Sequence, residues 1–389
     1  MTLPWQINNI GTHTFGITSS NPTVPSEGGF EVPHQMEREY IYWIAKKLCK
    51  QASQPVIDLV DGYFCGGGTE GNIEGLWLGR EALRAKGAQE MAILITPLTH
   101  YSVIKAAHLL DIRQHIVMVD INAQLEMDLA SLRSTINRLI EQGLHHFIIV
   151  GTVGTTLCGS VDPIQGINQV IRESTDDTHF YFHVDASFGG YTVPFVTDDV
   201  LIGFENSEVQ SIVVDGDKMG MLPYPGGVFL CRKNLQKLIQ IDVPYIGSHM
   251  DATVSGSRSF VSVACGWYYI QQFGEKQHSE MVKECLRQRD RLASMLQGIP
   301  GLTLLPMSPY TNQLPVAMNL DLKHLNPLYN LRGDEIMYQG QLITVYKFCI
   351  FPHTFNHFET LVHDLQEALQ ASETPPHKKQ QRWGEPHSH

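Results

Sequence analysis

The run Ile212-Val213-Val214-Asp215-Gly216-Asp217-Lys218-Met219-Gly220 decides how the rest of the chain is read. Three apolar residues end in a short polar turn that carries one lysine. The glycine-rich segment Pro223-Tyr224-Pro225-Gly226-Gly227 follows, and then a second apolar run, Val228-Phe229-Leu230. Taken alone, a lysine in a tight turn is a surface residue, because lysines are mostly exposed. Held between two buried strands, the same amine is partly desolvated and serves as a nucleophile. What falls at the ends of the neighbouring strands chooses between the two.

Outward from this run, apolar stretches alternate with helical patterns. Strands are predicted at 91–96, 116–119, 147–150, 180–184 and 212–214. Helices are predicted over 36–51, 73–85, 102–110, 128–142 and 163–172, with a glycine-rich loop at 62–72. This alternation predicts an α/β chain with a mostly parallel sheet covered on both faces. Ligands sit at the carboxyl ends of the strands in such sheets. A charged helix over 275–296 then leads to a smaller α+β unit, with strands at 302–305, 316–320 and 343–350 and a last helix over 355–369. The expected division is an amino-terminal arm at 1–35, a large domain at 36–274, a small carboxy-terminal domain with its connecting helix at 275–372, and a disordered polar tail at 373–389.

The 389 residues exceed one ordinary core, in keeping with two domains. The formal net charge of −12 argues against non-specific nucleic-acid binding. No apolar run reaches the roughly 20 residues that span a bilayer. The first residues lack a basic region followed by an apolar core, so no secretory signal is expected. Seven scattered cysteines without C-x-x-C suit a reduced, cytoplasmic protein with neither disulfides nor a cysteine zinc site. His353 and His357 are not part of H-E-x-x-H, and no metal is expected.

Three further features fall where a ligand would sit. Gly66-Gly67-Gly68-Thr69-Glu70-Gly71-Asn72 runs into a helix, whose start offers free N–H groups and a positive dipole end to an anion. It is not G-x-x-x-x-G-K-[ST], which disfavours a nucleoside triphosphate. Thr99-His100-Tyr101-Ser102 follows a strand and offers a flat imidazole to an aromatic ring. His183-Val184-Asp185-Ala186-Ser187-Phe188-Gly189-Gly190 ends a buried strand on a carboxylate, which needs a cationic or hydrogen-bonding partner. Alone, each has a plainer reading: a glycine turn, a structural histidine, a capping aspartate. With Lys218 they make an anion cradle, a stacking ring, a carboxylate for a ring nitrogen and an amine for an aldehyde. That set defines pyridoxal-phosphate chemistry.

At these residues the chain resembles the group II pyridoxal-phosphate-dependent amino-acid decarboxylases, and within them the branch of bacterial histidine decarboxylases and plant serine decarboxylases. The blocks GGGTEGNIEGLWLGRE, THYSVIKAAHLL, GTVGTTLCGSVDPI, FHVDASFGGYTVPFV, DGDKMGMLPYPGGVFLCRK and VPYIGSHMDATVSGSRS carry the likeness. The resemblance implies the fold type I, pyridoxal-phosphate-dependent transferase-like architecture, with a seven-stranded, mostly parallel sheet and a small carboxy-terminal domain. It also implies a homodimer with active sites at its interface. Lys218 would hold the cofactor aldehyde, Asp185 face the pyridine nitrogen, and His100 stack on the ring and touch the substrate. Gly67, Gly68 and Thr69 would hold the phosphate, with Asn72 in the same block. Thr155 would lie near the ring hydroxyl or the phosphate, and Ser187 under the ring face. Tyr245, His249 and Lys218 are the candidate proton donors. The activity implied is decarboxylation of a histidine-like or serine-like L-amino acid to the amine and carbon dioxide. The alternatives are another lyase, aldolase or aminotransferase using the same cofactor, or a catalytically impaired homologue.

One departure stands out. The family has histidine immediately before the lysine, and serine or asparagine three before it. Here Asp217 and Asp215 occupy those places. A like-charge pair at about 4 Å costs ~4 kcal/mol at an effective dielectric of about 20. Either a cation compensates, with Arg258 the candidate, or the aspartates turn away.

Overall fold

The computed structural model describes residues 31–51, 54–175, 177–244, 250–318, 325, 329, 331 and 333–373. Most of the expected arm, the tail beyond 373, and both Tyr245 and His249 lie outside the described residues.

The chain opens with α1 (Glu31–Lys47), the short α2 (Val56–Leu59) and β1 (Val60–Cys65). Helices and strands then alternate: α3 (Gly68–Arg84), β2 (Ala92–Ile95), α4 (Tyr101–Leu109), β3 (Ile116–Met118), α5 (Leu129–Glu141), β4 (His146–Thr152), α6 (Ile164–Arg172) and β5 (His179–Asp185). The short α7 (Val193–Val196), β6 (Val209–Asp215) and β7 (Gly227–Arg232) complete a seven-stranded sheet of order β1-β7-β6-β5-β4-β2-β3. The pairs β3/β2, β2/β4, β4/β5 and β5/β6 are parallel, whereas β6/β7 and β7/β1 are antiparallel. The predicted α/β class and mostly parallel sheet are both present. β7 runs back along β6 because only a turn joins them, with no room for a crossover helix.

The central strands are apolar at nearly every position because both faces are covered. In β4, Phe147 and Ile149 join one core and Ile148 and Val150 the other. In β5, Phe182 and Val184 face one side and Tyr181 the other.

The expected loop at 62–72 is a strand end and a helix start instead. Asp61 and Gly62 break the apolar pattern of β1, yet Gly62 is required: a Cβ there would stand 2.3 Å from the carbonyl oxygen of Phe229 in β7. In α3, glycines recur every fourth residue on the face toward the sheet. A Cβ at Gly71 would meet Val213 at 2.2 Å, at Gly75 the His183 ring at 2.5 Å, and at Gly79 the Tyr181 ring at 2.9 Å. These glycines read as loop formers from their helix propensity. Their role is to let α3 lie directly on β5 and β6, which brings its first turn to the strand ends.

β8 (Ile241–Asp242) and β9 (Met250–Asp251) form a small antiparallel pair. Two helices follow, α8 (Phe260–Gln272), which is not among the predicted elements, and α9 (Gly274–Leu296). The chain closes with β10 (Leu302–Leu304), β11 (Gln313–Met318), β12 (Gly333–Tyr338), β13 (Gln341–Cys349) and α10 (Phe358–Glu373). These last strands form an antiparallel sheet of order β10-β11-β13-β12, whose core includes Leu292, Leu296, Val316, Phe348 and Leu365. β12 was not foreseen, since an exposed edge strand of sequence GDEIMY has little apolar signal. Asn312 ties this sheet to the lysine turn: its Nδ2 lies 3.1 Å from Met219 Sδ and donates to Ile350 O at 2.9 Å. Among the described residues no helix is long and apolar enough to cross a membrane.

Candidate active site

The lysine turn is pinned by backbone bonds. Gly216 N and Asp217 N both donate to Gly226 O, at 2.8 and 3.1 Å. Lys218 Nζ then lies 3.3 Å from Asp215 Oδ2 and 4.3 Å from the centre of the Phe188 ring. It opens on a small cleft at the carboxyl ends of β4, β5 and β6, lined among others by Gly68, Thr69, His100, Asp185, Ser187 and Asp215.

Asp185 is 3% exposed and is surrounded by donors. Ser187 donates from Oγ at 2.5 Å and from N at 3.1 Å, and Asn72 Nδ2 donates at 2.9 Å. Burial pushes this carboxyl up. The Ser187 hydrogen bond, the Lys218 charge and Asn72 outweigh burial and hold it below its ordinary value. It is therefore a buried anion poised for a cation.

Asn72 is fully buried and links three elements. Nδ2 also donates to Ser102 Oγ at 2.8 Å, and Oδ1 pairs with His183 Nε2 at 2.9 Å. His183 Nδ1 lies 2.7 Å from Ser211 Oγ, which accepts from Tyr181 OH at 2.9 Å. Burial lowers His183 to about 4, so it is a neutral member of this network. The clue in the sequence was a histidine and a serine at interior positions of apolar strands, His183 and Ser211.

His100 caps α4. Its Nδ1 accepts from Ser102 N at 3.4 Å and lies 2.7 Å from Ser102 Oγ. Burial lowers its pKa; Asp185 opposes this, while Lys218 and Lys347 add to it, and the ring is neutral. The acceptor role of Nδ1 puts the ring proton on Nε2.

Gly67 sits at φ 119°, a region that favours glycine, and starts α3 beside the lysine turn. Thr69 lines the cleft with Gly68, whereas Asn72 is enclosed behind Asp185. Thr155 is turned away. Its Oγ1 lies 2.8 Å from Ser160 Oγ, and Thr152, Gly154 and Thr156 line the cleft in its place. Ser187 acts on Asp185 through its hydroxyl, and the aromatic residue beside the amine is Phe188.

Neither way of relieving the charge is present at Asp215. Arg258 is committed elsewhere, paired with both carboxylate oxygens of Glu37 and packed 5.4 Å over the Tyr63 ring. Asp215 has not turned away, because a Cβ on Gly68 would lie 3.1 Å from its Oδ2. Asp217 lines the adjoining cleft, and burial together with Asp215 pushes it up to about 7 against the pull of Lys218.

That adjoining cleft, about 610 Å³, is also lined by His100, Tyr224, Phe351, His353 and Lys347. Lys347 comes from β13, 5.8 Å from the same Phe188 ring, and no described carboxylate lies within ion-pair distance of it. Lys347 carries no signal in the sequence, being one charge in a predicted strand far from every motif.

The donor set suits pyridoxal phosphate at the ring nitrogen, the aldehyde and the ring face. At the phosphate end the free N–H groups of α3 suit an anion, with Asp215 standing against them.

Comparison with known proteins agrees with this chemistry. The pyridoxal-dependent decarboxylase conserved domain matches residues 79–300. Tryptophan decarboxylase of Clostridium sporogenes is 31% identical over 288 residues, 73% of this chain and 65% of that protein. A probable L-tyrosine/L-aspartate decarboxylase of Methanopyrus kandleri is 30% identical over 295 residues, 74% of each chain. Histidine decarboxylase of Acinetobacter baumannii, of the branch expected from the motifs, is 30% identical over 243 residues, 62% of this chain and 60% of that protein. In structure, glutamate decarboxylase of Lactobacillus brevis superposes with a TM-score of 0.74 at 18% identity, covering 92% of this chain and 84% of that one. The chain belongs to the pyridoxal-dependent decarboxylase family, and its cofactor is pyridoxal 5′-phosphate.

Proposed function

We propose that this chain removes the carboxylate of an L-amino acid as carbon dioxide and releases the primary amine. The observation that carries the reading is one cleft onto which the Lys218 amine, the Asp185 carboxylate and the His100 imidazole all open. The cofactor, when bound, supplies an electron sink for the pair left as the carbon–carboxylate bond breaks. Lys218 holds the aldehyde end. Asp185, kept ionised by Ser187 and Asn72, holds a proton at the ring nitrogen. His100, neutral and fixed by Ser102, covers the ring. Phe188 keeps water from the amine on one side. Lys218 Nζ is the described group suited to return a proton to the α-carbon; Tyr245 and His249, the other candidates, are outside the described residues.

The substrate side chain enters the adjoining cleft. Lys347 there favours an acidic side chain, since an ammonium with no carboxylate partner in a half-enclosed cleft attracts one. A histidine-like or serine-like substrate is the second reading, supported by the motif blocks and the likeness to histidine decarboxylase. The chain is taken to work as two domains, 36–274 and 275–372; the second has a core of its own around its sheet, while Val282 and Cys285 at the start of α9 join the core of the first. It is also taken to be a homodimer, for which the exposed Tyr101, Tyr224 and Tyr268 supply apolar surface; light scattering on the purified protein tests this.

The activity is tested by incubating protein and cofactor with single amino acids, aspartate, glutamate, histidine, serine, tyrosine and tryptophan among them, and identifying products by mass spectrometry. An amine with equimolar carbon dioxide is expected. A keto acid would make the enzyme an aminotransferase, and no product from any of them would overturn the assignment.

A further inference from the structure

The turn that carries Lys218 brings one carboxylate, Asp215, against the α3 cradle and a second, Asp217, into the adjoining cleft. Asp215 is 7% exposed; a Cβ on Gly67 would stand 3.3 Å from its Oδ1 and one on Gly68 3.1 Å from its Oδ2. The carboxylate thus lies against the first turn of α3, where free N–H groups receive an anion. Asp217 is two residues on, half-buried at the adjoining cleft. Oδ1 of each aspartate is buried without a hydrogen-bond partner. Lys218 reaches Asp215 at 3.3 Å. One ammonium cannot balance the two carboxylates of its own turn together with a phosphate dianion in the α3 cradle.

The other groups facing the pair do not make up the deficit. From α4, His100 is neutral, and from β5, Asp185 adds a negative charge. Cys65 of β1, Tyr191 and Tyr224 are all pushed up and carry no charge near neutrality. Lys347 of β13 is a second cation, 5.8 Å from the centre of the Phe188 ring, but neither aspartate lies within ion-pair distance of it. Arg258 is held by Glu37.

We propose that Asp215 and Asp217 share one proton, and that the cofactor's phosphate is admitted with that proton in place, so that cofactor loading is proton-coupled. The shared proton sits between carboxylates that otherwise repel each other and the incoming anion, and it removes one of the opposing charges. The elevation of Asp217 to about 7 agrees with this arrangement. Above that range the proton has to be drawn from solvent, and affinity falls by up to about tenfold per pH unit. The proposal rests on the family's cofactor and not on which amino acid is turned over.

The test is binding, not turnover. The full chain, stripped of cofactor, is titrated with pyridoxal phosphate and, in parallel, with pyridoxal, which lacks the phosphate. Cofactor absorbance is followed from about pH 6.5 to about pH 9. Wild type is compared with Asp217→Asn, and with Asp217→Ser should the amide pack badly. The three proteins differ only at position 217, so the difference isolates Asp217. The dissociation constant of wild type for pyridoxal phosphate is expected to climb with pH. Asp217→Asn should bind about tenfold or more tightly than wild type at the alkaline end and lose the extra slope, while pyridoxal binds both alike. Equal affinity and slope in wild type and both variants would overturn the proposal, as would a response to pyridoxal as large as to pyridoxal phosphate.

Discussion

Asn72 Nδ2 donates to Asp185 Oδ2 at 2.9 Å, across 113 positions of the chain. Through that bond α3 holds the carboxylate that ends β5, and the same amide reaches His183 and Ser102. Asn72 is a positioning residue. Asn72→Leu should cost about 1–3 kcal/mol of stability, because His183 and Asp185 each lose a buried partner. It should also raise the Asp185 pKa and weaken cofactor binding in proportion. Urea unfolding of the cofactor-free protein measures the first effect and absorbance titration the second. A loss of stability with unchanged cofactor affinity would limit Asn72 to a structural role.

Lys347 faces the cleft where the substrate side chain is placed. Lys347→Met keeps the length of the side chain and removes its charge. For an acidic substrate KM should rise by about tenfold or more, the worth of one charge-assisted hydrogen bond, with a much smaller change in kcat. Steady-state kinetics on the amino acid found by product analysis checks this. An unchanged KM would argue for a neutral or cationic side chain.

Gly75 of α3 lies against His183, with a Cβ there 2.5 Å from the ring. The ring is held on both sides by Asn72 and Ser211 and cannot swing away without breaking those bonds. Gly75→Ala should therefore destabilise by about 2–4 kcal/mol, despite the better helix propensity of alanine. Denaturant unfolding reads it. A stabilised variant would show that α3 can lift off the sheet.

Asp217 also makes cofactor-free stability depend on pH. Its folded pKa, about 7, is above its unfolded value. A raised carboxyl contributes stability fully present below the unfolded pKa and lost as pH rises through the folded one. Asp217→Asn carries no such linkage. The gap in Tm, variant minus wild type, should open as pH rises from about 4 to about 7 and then level off, at a few degrees. Thermal scans in matched buffers check both its direction and its plateau.

Much of the site was legible in linear order. Gly68, Thr69, His100, Asp185, Ser187 and Lys218 all face one cleft, because in a parallel sheet the carboxyl ends of successive strands meet along one edge. Thr155 misled, because in a turn one residue's shift exchanges the inward hydroxyl for the outward one, and Thr156 took the place. β1 and the first turn of α3 were read as loop, since their glycines answer to the neighbouring strands and not to local propensity.

What the order of residues determined alone was the class of fold and the type of chemistry. Runs apolar at every position have to be buried on both faces, and an amine, a carboxylate, an imidazole and an anion cradle suffice to name a cofactor. What only the tertiary structure decided was which charges meet. Lys347 comes to the lysine cleft from β13, Arg258 is drawn away to Glu37, and Asp215 stands against α3. Local periodicity carries no record of such pairings, because electrostatic energy depends on distance in space, and the packing of one sheet on another sets that distance.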